Sequence, residues 1–251
     1  MKALRIEMEG TVTSFRYPHF HVGRQPSYPM PPPATIYGHV CSAVGEWIEP
    51  DSLRFAYVFS FAGTGDDLEL LHMSSVASGK VDKAWGYTKN IEVQTNVLPR
   101  QILLHPRLTL YLEAGERTGE WLRVFRSPRF PVLLGRSQDL ASYRCVDVVE
   151  LTQSDSGYLE NTLLPWALRE RLPDGTTFQM PKFINPECRS LVTWDRYVVL
   201  ERRLWWPSKG TEAPRGARLA MPQDKDGPVW VDPESASWGL GRRIVTWHSW
   251  V

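Results

Sequence analysis

Arg16, Tyr17, His19, Phe20, His21, Arg24 and Gln25 set cations and rings side by side in one short stretch. Aromatic faces stack nucleobases, and guanidinium forks take phosphates or base edges. Pro18 and Pro26 sit in this stretch and Pro29, Pro31, Pro32 and Pro33 follow it, so the segment is a stiff, extended loop that loses little entropy on binding. The plainer alternative is a structural loop whose rings plug the core. A second candidate is Leu134-Gly135-Arg136-Ser137, where a glycine could let backbone N–H groups approach a phosphate, with Arg136 and Ser137 adding donors. Alone it is as readily an ordinary turn. A third is the polar stretch from 77 to 105, in which Lys80, Lys83, Trp85, Tyr87, Lys89, Asn90, Gln94, Asn96 and Arg100 interleave basic and aromatic groups. A projecting hairpin touching nucleic acid would look like this, and so would a solvated surface loop.

Catalysis has weaker support. The chain has six histidines: His19, His21, His39, His72, His105 and His248. A metal-independent ribonuclease needs a base for the 2′-hydroxyl, an acid for the leaving oxygen and a cation for the phosphate. His19 or His21 with Arg24 and Tyr17 could supply these. No HExxH, Walker loop, GxSxG or paired-carboxylate motif is present. His39 and His72 lie in helix- and strand-like runs and read as core or surface histidines. Cys41, Cys145 and Cys188 are far apart, which indicates neither a zinc site nor a disulfide framework.

Net charge is only +1, but 22 of the 29 basic residues are Arg, the residue suited to phosphate and base contacts. A high-GC coding sequence would enrich Arg as well. From Lys80 to Arg144 there are eleven Lys or Arg and six Asp or Glu, so this stretch is positive by five and the remainder negative by four. A confined polyanion site on a near-neutral protein would have that distribution, as would a solvated face. The sequence has no signal peptide and no apolar run of spanning length, which makes a reducing cytoplasm the default expectation and leaves no role for a membrane.

The elements that would position these groups follow from periodicity. Leu4, Ile6 and Met8 alternate with Arg5, Glu7 and Glu9, which predicts a strand over roughly 3–15. Pro33 opens a helix whose Ile36, Val40, Ala43, Val44 and Trp47 should face the core, with Pro50 as its stop. Residues 53–62 read as a strand ending in a turn at Gly63-Thr64-Gly65-Asp66. Extended structure resumes at 68–76 and precedes the 77–105 excursion. A strand at 107–113, a short helix at 117–126 with Trp121, Leu122 and Phe125 inward, and a strand at 145–151 complete the series. Strand, helix, strand, excursion, strand, helix, strand is the split pattern of ferredoxin-like and RNA-recognition modules. Residues 152–251 lack convincing helices and read as an irregular, β-rich lobe packed on the 1–151 core. The fold class is therefore α+β.

Two stretches carry a family resemblance. Ser14-Phe15-Arg16-Tyr17-Pro18-His19-Phe20 with Gly23-Arg24-Gln25-Pro26, continued by Met30-Pro31-Pro32-Pro33-Ala34-Thr35-Ile36-Tyr37-Gly38-His39, closely resembles the N-terminal signature of the Cas-five family. These are repeat-associated (RAMP) subunits of type I CRISPR Cascade. Leu134-Gly135-Arg136-Ser137-Gln138-Asp139-Leu140-Ala141 resembles that family's glycine-loop motif. The resemblance implies a ferredoxin-like RAMP core with a protruding thumb at 77–105. It implies binding of the 5′ handle of CRISPR RNA, and capping of the complex beside its backbone and large subunits. Target DNA would be engaged indirectly, through guide pairing. The residues then expected to hold RNA are Arg16, Tyr17, His19, His21, Arg24, Gln25 and Tyr37, the excursion's Lys89, Asn90 and Arg100, and Gly135, Arg136, Ser137 and Gln138. No metal or other cofactor is expected. Loss of Arg24 or Arg136 should weaken handle binding by roughly 1–3 kcal/mol. One branch of the family cleaves the CRISPR repeat with a Tyr and a Lys-His pair. This sequence has no Lys-His dipeptide, and Val44, Gly45 and Trp47 stand where the first helix ends. That favours a non-catalytic subunit over a metal-independent repeat endoribonuclease built on His19, His21 and Tyr37. A purely structural end-cap is the blandest option.

Overall fold

The computed structural model describes residues 1–20, 23–76, 79, 81, 84, 86–88, 91–208, 215–223, 227–237 and 241–251. His21, Lys80, Lys83, Trp85, Lys89 and Asn90 fall outside the described residues, so the expectations resting on them are not addressed.

The chain is mixed α/β and sheet-rich. The first strand, β1 (Lys2–Gly10), follows its alternation: Leu4, Ile6 and Met8 are buried in one core cluster, while Ala3 belongs to another across the sheet. A two-residue β2 (Val12–Thr13) follows. Helix α1 (Pro33–Val44) starts with Pro33 in its first turn and buries Ile36, Val40 and Ala43. It stops earlier than expected. Gly45 takes φ 95° and its N–H caps the Cys41 carbonyl, so a left-handed glycine ends the helix well before Pro50. Trp47 consequently lies beyond the helix and is 62% exposed, not in the core.

Then come β3 (Arg54–Ser60), β4 (Gly63–Val76), β5 (Ile91–Leu104) and β6 (Arg107–Glu113). Helix α2 (Thr118–Arg126) buries Trp121 and Phe125, one turn apart. After it run β7 (Ala141–Glu150), β8 (Thr152–Ser154), β9 (Gly157–Leu159), β10 (Thr162–Pro165), β11 (Thr176–Ile184), β12 (Val192–Leu200), β13 (Leu204–Trp206), β14 (Val229–Asp232) and β15 (Arg243–Ile244).

The main sheet has seven strands in the order β11-β12-β10-β3-β6-β1-β7, each pair antiparallel. Both helices contribute to the core on one face of it, with Phe55, Tyr57, Leu108, Leu110, Met180 and Trp250. A five-stranded sheet, β13-β9-β15-β14-β8, packs toward the other face. There Ala3, Ala56, Tyr111 and Val149 of the main sheet meet Val245, Trp230 and Trp247. RNA-recognition modules read bases on an open sheet face. Here that face is covered at these positions by Val245, Trp230 and Trp247.

Two boundaries differ from the sequence reading. Gly63-Thr64-Gly65-Asp66 is not a turn: these residues pair in register with Leu104, Leu103, Ile102 and Gln101. The excursion thus leaves the sheet at residue 63 rather than 77: β4 and β5 pair antiparallel along their whole length, about 45 Å at ~3.3 Å per residue. The division expected at residue 151 does not follow the sheet either. Strands β10, β11 and β12 extend the main sheet from β3, and Trp250 stacks on Phe55 at 4.5 Å while donating its indole N–H to the Pro33 carbonyl.

Candidate nucleic-acid interface

The described residues of the 14–28 segment form two closely paired limbs. The Tyr28 N–H donates to the Phe15 carbonyl (2.8 Å), Arg16 bridges Ser27, and the Tyr17 N–H reaches the Pro26 carbonyl. One limb is sewn to β5, where the Gln25 N–H donates to the Pro99 carbonyl and the Gln101 N–H to the Gln25 carbonyl. The prolines set the extended backbone and the β5 edge supplies its hydrogen bonds. Among its described rings, His19 and Phe20 are exposed, whereas Tyr17 and Tyr28 pack against the core. Tyr17 stacks on Tyr28 at 4.2 Å, and Phe20 meets Tyr17 edge-on at 5.5 Å. His19 lies 5.3 Å from Trp194 of β12, with the two rings 30° apart.

The cations divide into two groups. Arg16 is exposed and has no ion-pair partner among the described residues. Arg24 is exposed and holds the Asp66 carboxylate with both Nε and Nη2. An exposed pair of this kind is worth about 0–1 kcal/mol, so a phosphate can displace it. Arg100 and Arg136 differ. Arg100 is buried and donates to Glu69. Arg136 clamps Asp139 through Nε and Nη2, and its Nη1 donates to Asp67 (3.1 Å) and Glu69 (2.8 Å). Its hydrogen bonds to Asp139 push its pKa up, against the burial that lowers it. Burial alone would raise Glu69, but the hydrogen bonds from Arg136 and Arg100 outweigh it and hold that carboxyl below its ordinary range. These two guanidiniums are therefore occupied by protein carboxylates, against the expectation that they grip phosphate.

Gly135 is likewise structural. It sits at φ 94°, and a Cβ there would collide with Thr13 Oγ1 and lie 2.8 Å from the Ser14 carbonyl oxygen. Thr13 Oγ1 donates to the Leu134 carbonyl, locking the glycine loop onto β2. The side a Cβ would occupy is thus filled by protein, while the glycine's own backbone is exposed. Gly135→Ala is expected to destabilise the fold by about 2 kcal/mol, through both the left-handed backbone and the clash. Urea unfolding measures this, and an unchanged midpoint would mean the loop relaxes freely.

The remaining expected residues separate clearly. Tyr37 is core: its hydroxyl donates to the Ile48 carbonyl, its ring packs on Phe183 and Trp250, and burial pushes its pKa up. It does not join His19 in a surface acid–base pair. Gln25 is buried behind Arg24. Ser137 and Gln138 are exposed at the tip of the glycine loop. The sequence reading missed Trp194 and the acidic set Asp66, Asp67 and Glu69; their partners lie 31 to 175 residues away along the chain, and nothing local marks them. Among the described residues no cluster of three or more His, Cys, Asp or Glu could hold a metal ion, and no helix is long and apolar enough to cross a membrane.

The chain matches a family model described as CRISPR-associated protein (Cas_Cas5) over residues 3–223. No curated protein matches it. Among solved structures, a chain of a CRISPR RNA-guided surveillance complex aligns with 85% of this chain and 95% of its own, at 14% identity and a TM-score of 0.52, which is a likeness of fold. A CRISPR protein from Archaeoglobus fulgidus aligns with 80% of this chain and 87% of its own, at 14% identity and a TM-score of 0.43.

Proposed function

The chain belongs to the CRISPR-associated Cas5 family, and on that premise we propose that it is a non-catalytic subunit of a CRISPR effector complex that holds the 5′ handle of the guide RNA. The observation that carries the reading is the proline-braced loop. It presents Arg16, His19, Phe20 and Arg24 outward beside the partly buried Tyr17, and it is sewn to the base of the long hairpin. Single-stranded RNA is gripped by such sets, with rings for unstacked bases and guanidiniums for phosphates.

The finer fold reading is part of this proposal. Within the main sheet, β1-α1-β3 and β6-α2-β7 interleave as β3-β6-β1-β7, the strand order of a split βαβ, ferredoxin-like core. The β4–β5 hairpin is the thumb. Its exposed Leu68, Leu70 and Val97 lie on one face, because Leu70 pairs with Val97 and Leu68 with Pro99; an apolar face of this kind suits cover by RNA bases or by a neighbouring subunit. Backbone and large subunits of the complex are the protein partners, and target DNA is met through the guide. The buried Tyr37 favours the non-catalytic reading over repeat cleavage.

The test is incubation of the purified chain with its own labelled repeat RNA in chelator, with binding and cleavage read from the same tubes. Intact RNA and steeply salt-sensitive binding are expected. Arg16→Ala and Arg24→Ala should each weaken binding about fivefold to a hundredfold and each lower the salt slope by about one. Asp66→Ala should tighten binding by releasing Arg24. Unchanged affinity in both arginine variants removes the loop from the RNA site, and a discrete cut moves the protein to the nuclease branch.

A further inference from the structure

We propose that β12 carries a second stretch of single-stranded nucleic-acid track, running from His19 across Trp194 and Arg196 to Trp166. The inference rests on the RNA-holding reading above and extends it to a surface outside the loop.

Strand β12 alternates. Tyr197 and Val199 enter the core on the helix side, and Val198 and Leu200 join the cluster on the opposite side. Trp194 and Arg196 continue that second register at the near end of the strand, where they are not among the buried residues of the cluster. A partly exposed Trp and an exposed Arg two positions apart, about 6.6 Å along a strand, therefore share one face. Each has a ring beside it. His19 lies 5.3 Å from Trp194, and the Arg196 guanidinium sits 5.9 Å over Trp166, itself 42% exposed. Arg196 makes no ion pair among the described residues, and the adjacent Asp195 carboxylate accepts the Arg196 backbone N–H instead.

The result is ring, ring, cation, ring, continuous with the loop through His19. Rings take bases of any identity and the cation takes the backbone charge, so the ligand class is an unpaired polynucleotide read without sequence preference. A longer stretch of guide and an unpaired DNA strand share that chemistry.

The full chain is titrated with labelled oligouridine and oligothymidine of four and twelve nucleotides. Affinity for the twelve-mers should exceed that for the four-mers, and Trp194→Ala or Trp166→Ala should weaken twelve-mer binding about tenfold. Trp194→Phe, which keeps a ring, should retain most of it, and this separates a stacking role from misfolding. Preference for the uridine series assigns the track to guide RNA, and equal binding assigns it to either strand. In the unaltered chain, a 4-thiouridine twelve-mer should crosslink to the tryptic peptide Ser190–Arg196. Twelve-mer binding that is unchanged in both alanine variants, with no crosslink to that peptide, overturns the track while leaving handle binding intact. Loss in the tryptophan variants without loss in Arg16→Ala or Arg24→Ala overturns the loop and keeps the track.

Discussion

Replacing Arg136 with alanine should cost the fold about 3 kcal/mol and weaken RNA binding without changing its salt dependence. The side chain is 11% exposed and ties the fully buried Asp139 to Asp67 and Glu69 at the root of the long hairpin. Breaking one partner out of a buried ionic network leaves carboxylates facing one another, which typically costs 3 kcal/mol or more. For a chain of this size that is a fall of roughly 10 °C in Tm. The hairpin root would loosen against the glycine loop, and the loop residues sewn to β5 would lose their fixed position. Arg136 itself touches no phosphate in this reading, so the slope of log affinity against log salt should stay as it was, unlike the drop of about one expected for Arg16→Ala. Asp139→Asn should reproduce much of the loss. Arg136→Lys should not restore it, because an ammonium cannot span three carboxylates as a planar fork does. Urea unfolding and RNA titrations at several salt concentrations measure both effects. A slope lowered by one would return Arg136 to the RNA contacts.

Stability should also fall steeply between pH 6.5 and 4.5, mainly through His39 and His248. Both are buried, and burial lowers each pKa to about 4. His39 Nδ1 faces the Leu133 carbonyl at 3.1 Å and its Nε2 faces the Tyr143 hydroxyl at 2.8 Å, so the neutral ring donates from Nδ1 and accepts at Nε2. His248 Nε2 donates to the Leu163 carbonyl at 3.0 Å. The folded state thus holds both rings uncharged while the unfolded chain protonates near 6.5. Their contribution is complete above that value and drains away as pH falls toward the folded pKa. At pH 5 each ring removes about 2 kcal/mol, some 4 kcal/mol together. Glu69, held below its ordinary range, adds its own loss further down, below about 4.5. Urea midpoints from pH 8 to 4.5 trace the curve. A His39→Asn, His248→Asn double variant should be less stable at neutral pH but much flatter across the window. A wild-type profile flat from 6.5 to 5 would mean that the rings titrate normally in the fold.

Much of the architecture was legible locally. Alternation of Leu4, Ile6 and Met8 specified β1 and its buried face, because a strand's side chains alternate regardless of what lies beside them. Spacing of Ile36, Val40 and Ala43 specified α1, and Trp121 with Phe125 specified α2. The prolines specified an extended loop, but not which of its rings would face out (His19 and Phe20) and which would pack on the core (Tyr17); that loop's motif with the glycine-loop motif pointed to the family that the chain belongs to.

Pairing partners were not legible, since period two says which residues share a face and nothing about which strand lies alongside. Gly63 to Asp66 carry turn chemistry, yet they are strand because Gln101 to Leu104 pair with them. Strands β10, β11 and β12 read as a separate lobe, yet they complete the main sheet through β3. The same limit governed the site. An arginine's type announces affinity for anions but not which anion is nearest: Arg136 found Asp67, Glu69 and Asp139, Arg100 found Glu69, and Arg16 was left to solvent. Trp194 came to His19 only through the folding of β12 onto the sheet. Residue type and period thus determined the elements and the kind of ligand, while long-range strand pairing and charge neutralisation, which depend on distance in space, decided which side chains remain free to bind it.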